Sequence, residues 1–440
     1  MHAAFMFSGP RAFHVMAKPI GARCNLACRY CYYLEKDRLY PDARKPKLAD
    51  DVLERFIANY MASQTAAGAR HVWFAWQGGE PMLLGRGYFE RVLALQSRHC
   101  PAGTTVSNAL QTNGTLIDAD WARFLHDNGF LVGISIDGPD LLHDRYRVDR
   151  RGRASSTRVL AGLGQLQNHR VDYNVLTAVS RQNARHPLQV YRYLRGLGVE
   201  HIQFIPVVER LLPDGMLAGP PTPGDDGLAV APWSVTPREY GRFLTGVFDE
   251  WLRHDVGGVF IQVFDLCLAL WLGRPASLCS HAETCGTGLA LEHNGDLYAC
   301  DHYVYPEFRL GNILDTPLTD LANQPRQWQF GTEKQTRLPA SCRTCRWKFA
   351  CQGGCPKHRF LPVPGGDPFR RNYFCESQQI FLAHAAPYLA WMARLVRSGQ
   401  PAARIMQDLA KTEPAGRNAP CPCGSGRKFK LCCGPTAPRA

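Results

Sequence analysis

The feature that most limits the possible fold is a regular alternation of short apolar runs and amphipathic stretches between residues 13 and 206. The runs have the length of strands and the stretches have the length of helices, an order typical of βαβ units in a parallel sheet. Six units are too few to close an eight-stranded barrel, so we expect an α/β fold that begins with a partial (β/α)6 TIM-type barrel. The predicted strands are 13–17, 71–76, 104–111, 131–137, 171–178 and 201–206, and the predicted helices are 49–66, 87–99, 118–128, 155–168 and 187–197.

A cysteine-rich loop follows the first predicted strand, at the end of the barrel where functional loops gather. It carries Cys24, Cys28 and Cys31 at CxxxCxxC spacing. Three thiolates can hold three irons of a cubane cluster, which leaves the fourth iron open for a small chelating ligand. The spacing resembles that of radical S-adenosylmethionine (SAM) enzymes, in which SAM occupies the open iron. A zinc knuckle that lacks its fourth ligand is the alternative.

Other candidate SAM contacts follow the next strands. The segment after the second strand resembles the GGE element that binds SAM, and its backbone amides could hold a carboxylate or an amino group. The third and fourth strands end in short polar segments that we expect to face the same ligand. A plain turn is the alternative for Gly78 and Gly79, and a surface ion pair is the alternative for Arg147. The candidates are Gln77, Gly78, Gly79, Glu80, Asn113, Ser135 and Arg147.

A second group of cysteines lies between residues 279 and 375. Asn294 and Gly295 separate two apolar segments, which predicts a hairpin with Cys300 on or just after its second strand. The eight thiolates suffice for two fully ligated cubanes or for two zinc sites. They belong to Cys279, Cys285, Cys300, Cys342, Cys345, Cys351, Cys355 and Cys375.

Residues 13–375 resemble the anaerobic sulfatase-maturating enzymes, radical SAM proteins with a SPASM-type cluster domain. The stretches that carry the resemblance are His14-Val15-Met16-Ala17-Lys18-Pro19, Phe248-Asp249-Glu250-Trp251, Glu283-Thr284-Cys285-Gly286, Cys300-Asp301-His302 and Leu310-Gly311-Asn312-Ile313. The resemblance implies three 4Fe-4S clusters. It assigns one auxiliary cluster to Cys279, Cys285, Cys300 and Cys355, and the other to Cys342, Cys345, Cys351 and Cys375.

The implied activity is the oxidation of a sulfatase cysteine or serine to Cα-formylglycine. A 5′-deoxyadenosyl radical would take a hydrogen from Cβ, and Asp301 would act as the base, with a pKa raised by its anionic surroundings. The implied partners are an unfolded or nascent sulfatase polypeptide carrying Cys/Ser-x-Pro/Ala-x-Arg and a flavodoxin- or ferredoxin-type electron donor. Two alternatives stay open: a SPASM-type peptide maturase that installs a thioether or carbon–carbon crosslink, and a non-catalytic metal-binding scaffold.

The C-terminal tail is a separate unit. Its Cys421, Cys423, Cys432 and Cys433 resemble the SEC-C zinc motif, and thiolates on so short a chain need a metal to fold. We expect residues 1–235 to form the barrel, with the proline- and glycine-rich segment 211–233 as a loop. The other expected units are a connecting helical segment 236–278, the SPASM-type domain 279–375, a C-terminal helix 376–398, a linker 399–419 and the zinc motif 420–434.

The net charge of +13 is compatible with an acidic partner or a nucleic acid. Since lysine and arginine form no isolated short run, a dispersed basic surface is favoured and no nucleic-acid binding is expected. We also expect no transmembrane helix and no signal peptide. Seventeen cysteines in close-spaced groups favour metal binding in a reducing compartment, hence a cytoplasmic protein.

Overall fold

Six parallel strands form the centre of a ten-stranded sheet in the computed structural model, which describes residues 12–41, 46–222, 225, 227–412 and 427–431. Each strand pairs in parallel with the next along the chain, as a partial barrel requires. The predicted strands are confirmed, with ends shifted by no more than about two residues. They are β1 (His14–Lys18), β2 (His71–Trp76), β3 (Thr105–Thr112), β4 (Phe130–Ser135), β5 (Tyr173–Val179) and β6 (His201–Pro206).

Helices connect these strands and cover the outside of the sheet. Alternate residues of β2 are buried, and its Phe74 and Trp76 pack against Phe56 and Tyr60 of the first helix. Burial of apolar faces on both partners therefore positions the strand ends that carry the candidate site. The helices are α1 (Asp50–Ala66), α2 (Arg86–His99), α3 (Ala119–Asp127), α4 (Asp140–His143), α5 (Ser156–Asn168) and α6 (Pro187–Gly196).

The segment 211–233, predicted as a loop without regular structure, takes part in a two-stranded ribbon of β7 (Arg210–Leu211) and β8 (Ala229–Val230). Next comes α7 (Pro237–His254), where a capping box between Thr236 and Glu239 satisfies the first backbone amides. It is followed by β9 (Phe260–Ile261), which pairs with β6, and by α8 (Gln262–Trp271).

The sheet does not stop at the barrel. Strand β10 (Gly288–Glu292) pairs in parallel with β1, and β11 (Asp296–Tyr298) and β12 (Arg309–Asn312) extend the sheet further. The predicted hairpin turn at Asn294 and Gly295 is confirmed. Pairing with β10 covers the edge of β1 that a six-stranded sheet would leave open.

The rest of the cysteine-rich region is made of short elements and one long helix. They are α9 (Leu318–Asn323), α10 (Pro325–Thr336), α11 (Ala340–Arg343), α12 (Lys348–Cys351), β13 (Arg359–Leu361), β14 (Arg371–Asn372) and α13 (Cys375–Arg397). Helix α13 packs along α7 through Phe381, which contacts Phe248. In the described residues we find no helix with the length and apolarity that crossing a membrane requires.

The linker expected at 399–419 is wrong for part of its length, because α14 (Arg404–Thr412) forms there and packs on α7 and α13. Its Ile405 is fully buried. The sequence hides this helix because it is short and mostly polar, so a few apolar contacts decide its position. The predicted zinc ligands Cys421, Cys423, Cys432 and Cys433 lie outside the described residues.

Candidate active site

A cavity of about 620 Å³ lies at the carboxyl ends of the central strands. Every strand from β1 to β6 contributes to its wall or ends next to it, as expected for a barrel whose loops carry function. Residues predicted from different motifs meet in this wall. They are Cys31, Gln77, Ser135, Arg147 and Asp301, together with four auxiliary cysteines, Cys342, Cys351, Cys355 and Cys375.

The loop of Cys24, Cys28 and Cys31 gathers three thiols that are close enough to influence one another's ionisation. Burial raises the pKa of Cys24 to about 11 and that of Cys28 to about 12, and the neighbouring thiols add to both shifts. Buried thiolates at such a distance repel each other unless a cation lies between them. The donor set therefore fits an iron cluster.

Gly78 and Gly79 allow the loop after β2 to touch the cysteine loop. A Cβ on Gly79 would lie 2.0 Å from the carbonyl oxygen of Arg23, and Gly78 has a φ of +136°. The amides of Gly79 and Glu80 donate to the carbonyls of Gly21 and Arg23 at 2.8 and 2.9 Å. These two amides are thus occupied and are not free to hold SAM, contrary to the expectation from sequence.

Glu80 is fully buried and does not line the cavity. Its carboxylate accepts bonds from the amides of Met82 and Asn113 and from the Thr112 hydroxyl, at 2.8–3.0 Å. Burial raises the pKa of Glu80 to about 7, although these donors oppose the shift. The Asn113 amide group donates to Asn25 at 2.8 Å and lies 3.6 Å from Cys24 Sγ. Glu80 and Asn113 together tie the end of β3 to the cysteine loop.

Ser135 and Arg147 face the cavity from the end of β4 and the segment after α4. Arg147 is held from behind, because its Nε donates to the buried Asp137 carboxylate at 3.0 Å. The Tyr30 hydroxyl donates to the same carboxylate. A guanidinium fixed on one side in this way can still present its remaining N–H groups to an anionic ligand.

Asp301 lies in the cavity wall directly after Cys300, as the hairpin predicted. Its carboxylate forms an ion pair with the buried Lys18 ammonium at 2.5 Å and accepts a hydrogen bond from Tyr32 at 2.5 Å. Burial acts to raise the pKa of Asp301, but Lys18 and then His302 outweigh it and lower the pKa to about 2. The pKa of Asp301 is therefore lowered, whereas a raised pKa was expected. The cause is a lysine that was given no role in the sequence and lies beside the carboxylate.

The eight cysteines between residues 279 and 375 form two spatial groups that interleave along the chain. The pKa of Cys285 is raised to about 12 by burial and by the nearby thiols of Cys355 and Cys279, and Cys300 is affected by the same two. The second group shows the same pattern, with Cys351 raised to about 11 by burial and by Cys375, Cys342 and Cys345. The structure thus brings Cys355 to the first group, away from its neighbours in sequence.

Lys18, Tyr32 and Asp137 are site residues to which sequence reasoning gave no role. Lys18 is 1% exposed at the end of an apolar strand and also donates to Gln77. A buried lysine rarely lacks a partner, so a lysine at the end of an apolar strand was the sequence signal for this ion pair. Asp137 had no comparable signal, because its partner Arg147 comes from a separate loop.

Three regions of the sequence match known families. Residues 19–194 match the Radical SAM superfamily, residues 279–346 match an iron-sulfur cluster-binding domain called SPASM, and residues 417–435 match the SEC-C motif. The last region coincides with the predicted zinc tail, and apart from residues 427–431 it lies outside the described residues.

Whole-chain relatives were also found. A serine-type anaerobic sulfatase-maturating enzyme of Bacteroides thetaiotaomicron is 41% identical over 91% of this chain and 95% of its own length. A cysteine-type enzyme of Clostridium perfringens is 33% identical over 87% of this chain and 99% of its own. A solved structure described as native anSMEcpe with bound AdoMet and Cp18Cys peptide superposes with a TM-score of 0.75 at 32% identity, over 87% of this chain and 99% of that one.

Proposed function

Because the chain belongs to the anaerobic sulfatase-maturating enzymes of the radical SAM superfamily, we propose that it oxidises a side chain of a sulfatase polypeptide to Cα-formylglycine. One observation carries this proposal. A carboxylate, Asp301, shares a single cavity with Cys31, Gln77, Ser135 and Arg147. This arrangement supports a role for Asp301 as the proton acceptor beside the groups proposed to hold SAM.

Three sets of cysteines would hold the 4Fe-4S clusters: Cys24, Cys28 and Cys31 for the SAM-binding cluster, Cys279, Cys285, Cys300 and Cys355 for one auxiliary cluster, and Cys342, Cys345, Cys351 and Cys375 for the other. Gln77, Ser135 and Arg147 would contact SAM directly, while Gly78, Gly79, Glu80 and Asn113 would shape the loop beneath it. When bound, the first cluster and SAM supply the hydrogen-abstracting chemistry.

The protein's own residues then handle the proton. Asp301 is ionised at neutral pH because Lys18 stabilises its charge, so it can accept the hydroxyl or thiol proton of the target residue. Tyr32 holds the carboxylate in place through its hydroxyl.

We propose serine as the preferred target. The serine-type relatives from Bacteroides and Klebsiella are 38–41% identical to this chain, whereas the cysteine-type relatives from Clostridium are 29–33% identical. The polypeptide substrate would carry Ser-x-Pro/Ala-x-Arg in an unfolded or nascent sulfatase.

Further partners and the location are part of the same proposal. A flavodoxin- or ferredoxin-type protein would supply electrons, and the SEC-C motif at 420–434 would bind zinc through Cys421, Cys423, Cys432 and Cys433. The described cysteines are all free thiols, which supports a reducing compartment such as the cytoplasm.

The test is anaerobic incubation of the reconstituted protein with SAM, dithionite and a peptide carrying Ser-x-Pro-x-Arg. We expect 5′-deoxyadenosine and the loss of two hydrogens at the serine, both detected by mass spectrometry. A matched peptide with cysteine at that position should react more slowly if serine is preferred. A chain with Cys24, Cys28 and Cys31 changed to alanine is the control, and should lose about four of about twelve irons and all SAM cleavage. Formation of a crosslinked peptide instead of an aldehyde would contradict the proposal and favour a peptide maturase.

A further inference from the structure

The segment 145–158 lies directly against the cysteine loop. The amide of Ala27 donates to the carbonyl of Val148 at 2.8 Å, and the amide of Arg29 donates to the carbonyl of Tyr146 at 3.0 Å. Leu26 and Asp149 form an antiparallel bridge between the two segments. The outer side of the proposed cluster loop is therefore built partly from 145–158.

This segment is strongly basic on its exposed side. It contains six arginines and one aspartate. Arg147 turns inward to the cavity, and Asp149 is buried and paired with Arg153 at 2.7 Å. We call the five exposed arginines the arginine surface: Arg145, Arg150, Arg151, Arg153 and Arg158.

One further contact connects the arginine surface with the cluster loop. Arg150 donates from Nε to the carbonyl of Cys24 at 2.9 Å, so its charge lies at the first proposed cluster ligand. Leu141 of the adjacent α4 is 89% exposed, which adds one apolar contact to a charged face. The six arginines lie within fourteen consecutive residues, so positive charge is concentrated here, contrary to the expected dispersed basic surface.

We propose that the arginine surface is the docking site for an acidic one-electron carrier protein that reduces the Cys24–Cys28–Cys31 cluster. This rests on the proposed function, since reductive cleavage of SAM consumes one electron. The carrier is oxidised by one electron and the cluster is reduced by one, with no bond made or broken at the surface.

The physical reasons favour such a carrier over a nucleic acid. Electron transfer slows steeply with distance, so a carrier must approach the loop that holds the cluster, and the arginine surface is hydrogen-bonded to that loop. An acidic partner is attracted and oriented by a positive patch, which raises the rate of encounter. Such attraction weakens at high salt.

The test is binding of an acidic flavodoxin of known sequence to the reconstituted holoenzyme, measured by isothermal titration calorimetry. Ionic strengths of about 0.01 M and about 0.15 M span a change of the Debye length from about 30 to about 8 Å. The variant is Arg145→Glu/Arg151→Glu. The matched control is Arg55→Glu/Arg70→Glu, which makes the same charge change at two exposed arginines elsewhere.

We expect the variant to weaken flavodoxin binding about tenfold or more at low salt, with the control staying close to the parent. The rate of 5′-deoxyadenosine formation with reduced flavodoxin should fall in parallel, whereas the rate with dithionite should stay unchanged. The neutral pair Arg145→Gln/Arg151→Gln should show a smaller loss of the same kind.

Three results would overturn the docking proposal: binding that is insensitive to salt, equal losses in the variant and the control, or loss of duplex-DNA affinity in the variant while flavodoxin binding persists. The last would assign the surface to nucleic acid. Absence of any dithionite-driven SAM cleavage in the parent would instead count against the proposed function and leave the binding comparison valid.

Discussion

Replacement of Asp301 by asparagine tests the proposed base most directly. The change keeps the size of the side chain and removes its charge and its capacity to accept a proton. Hydrogen abstraction does not need this carboxylate, so 5′-deoxyadenosine should still form. Formylglycine should fall by about two orders of magnitude, a usual contribution of a general base.

The ion pair between Lys18 and Asp301 complicates the interpretation of the single variant. Lys18 is 1% exposed and lies 2.5 Å from the Asp301 carboxylate, so Asp301→Asn leaves a buried ammonium without its counterion. Breaking a buried ion pair from one side costs about 3–5 kcal/mol, whereas replacing both charges together is often close to neutral. Lost stability could therefore imitate lost catalysis in the single variant.

A double variant, Lys18→Met/Asp301→Asn, separates the two effects. Methionine keeps the apolar stem beside Met16 and Tyr33 and removes the ammonium. The apparent stability should return most of the way towards the parent, because no unpaired buried charge remains. Formylglycine production should stay about two orders of magnitude low, since the base is still absent.

The assay uses the Ser-x-Pro-x-Arg peptide, with formylglycine and 5′-deoxyadenosine measured in the same sample and thermal unfolding followed separately. A fall in the ratio of formylglycine to 5′-deoxyadenosine shows that SAM cleavage is uncoupled from formation of the product. If the double variant regains formylglycine together with stability, Asp301 acts only as the counterion of Lys18 and the base lies elsewhere. A normal ratio in Asp301→Asn would refute the reasoning in the same way.

Three other changes have definite expected outcomes. Gly79→Ala should prevent stable assembly of the first cluster and lower iron content by about four, because the new Cβ would lie 2.0 Å from the Arg23 carbonyl. Gly164→Ala, where the added methyl meets open space, is the control and should keep all iron. A chain that ends after Thr412 should keep peptide turnover and lose only zinc, as metal analysis would show. A chain that ends after Arg397 also loses α14 and the buried Ile405, so its stability should drop by about 1.5–3 kcal/mol. Equal stability of the two truncated chains would contradict the packing of α14.

The barrel strands could be predicted because each is a short apolar run bounded by turn residues. Strand β2 was predicted with both ends correct, since residues 72–76 form a continuous apolar run that ends at Gln77. Pairing of β10 with β1 could not be predicted in this way. It joins residues that are far apart along the chain, and no local pattern records which strand covers an open edge.

In the candidate site, too, local sequence patterns could be predicted and contacts between distant residues could not. Cysteine spacing is a local pattern and identified each candidate ligand, but the grouping of Cys355 with Cys279, Cys285 and Cys300 depends on the fold. The resemblance supplied that grouping. The direction of the Asp301 pKa shift was missed for a related reason, because its cause, Lys18, lies at the other end of the sequence.

Strand β1 explains why these distant residues act together. It pairs with β2 on one side and with β10 on the other. Lys18 ends β1 and contacts Gln77 after β2 and Asp301 after the β10–β11 hairpin. The cysteine loop begins six residues after Lys18. One buried ammonium therefore connects the segment proposed to hold SAM with the carboxylate proposed to take the proton. A shift of β10 along β1 would separate Asp301 from Lys18, so the pairing of these two strands is itself a requirement for the proposed chemistry.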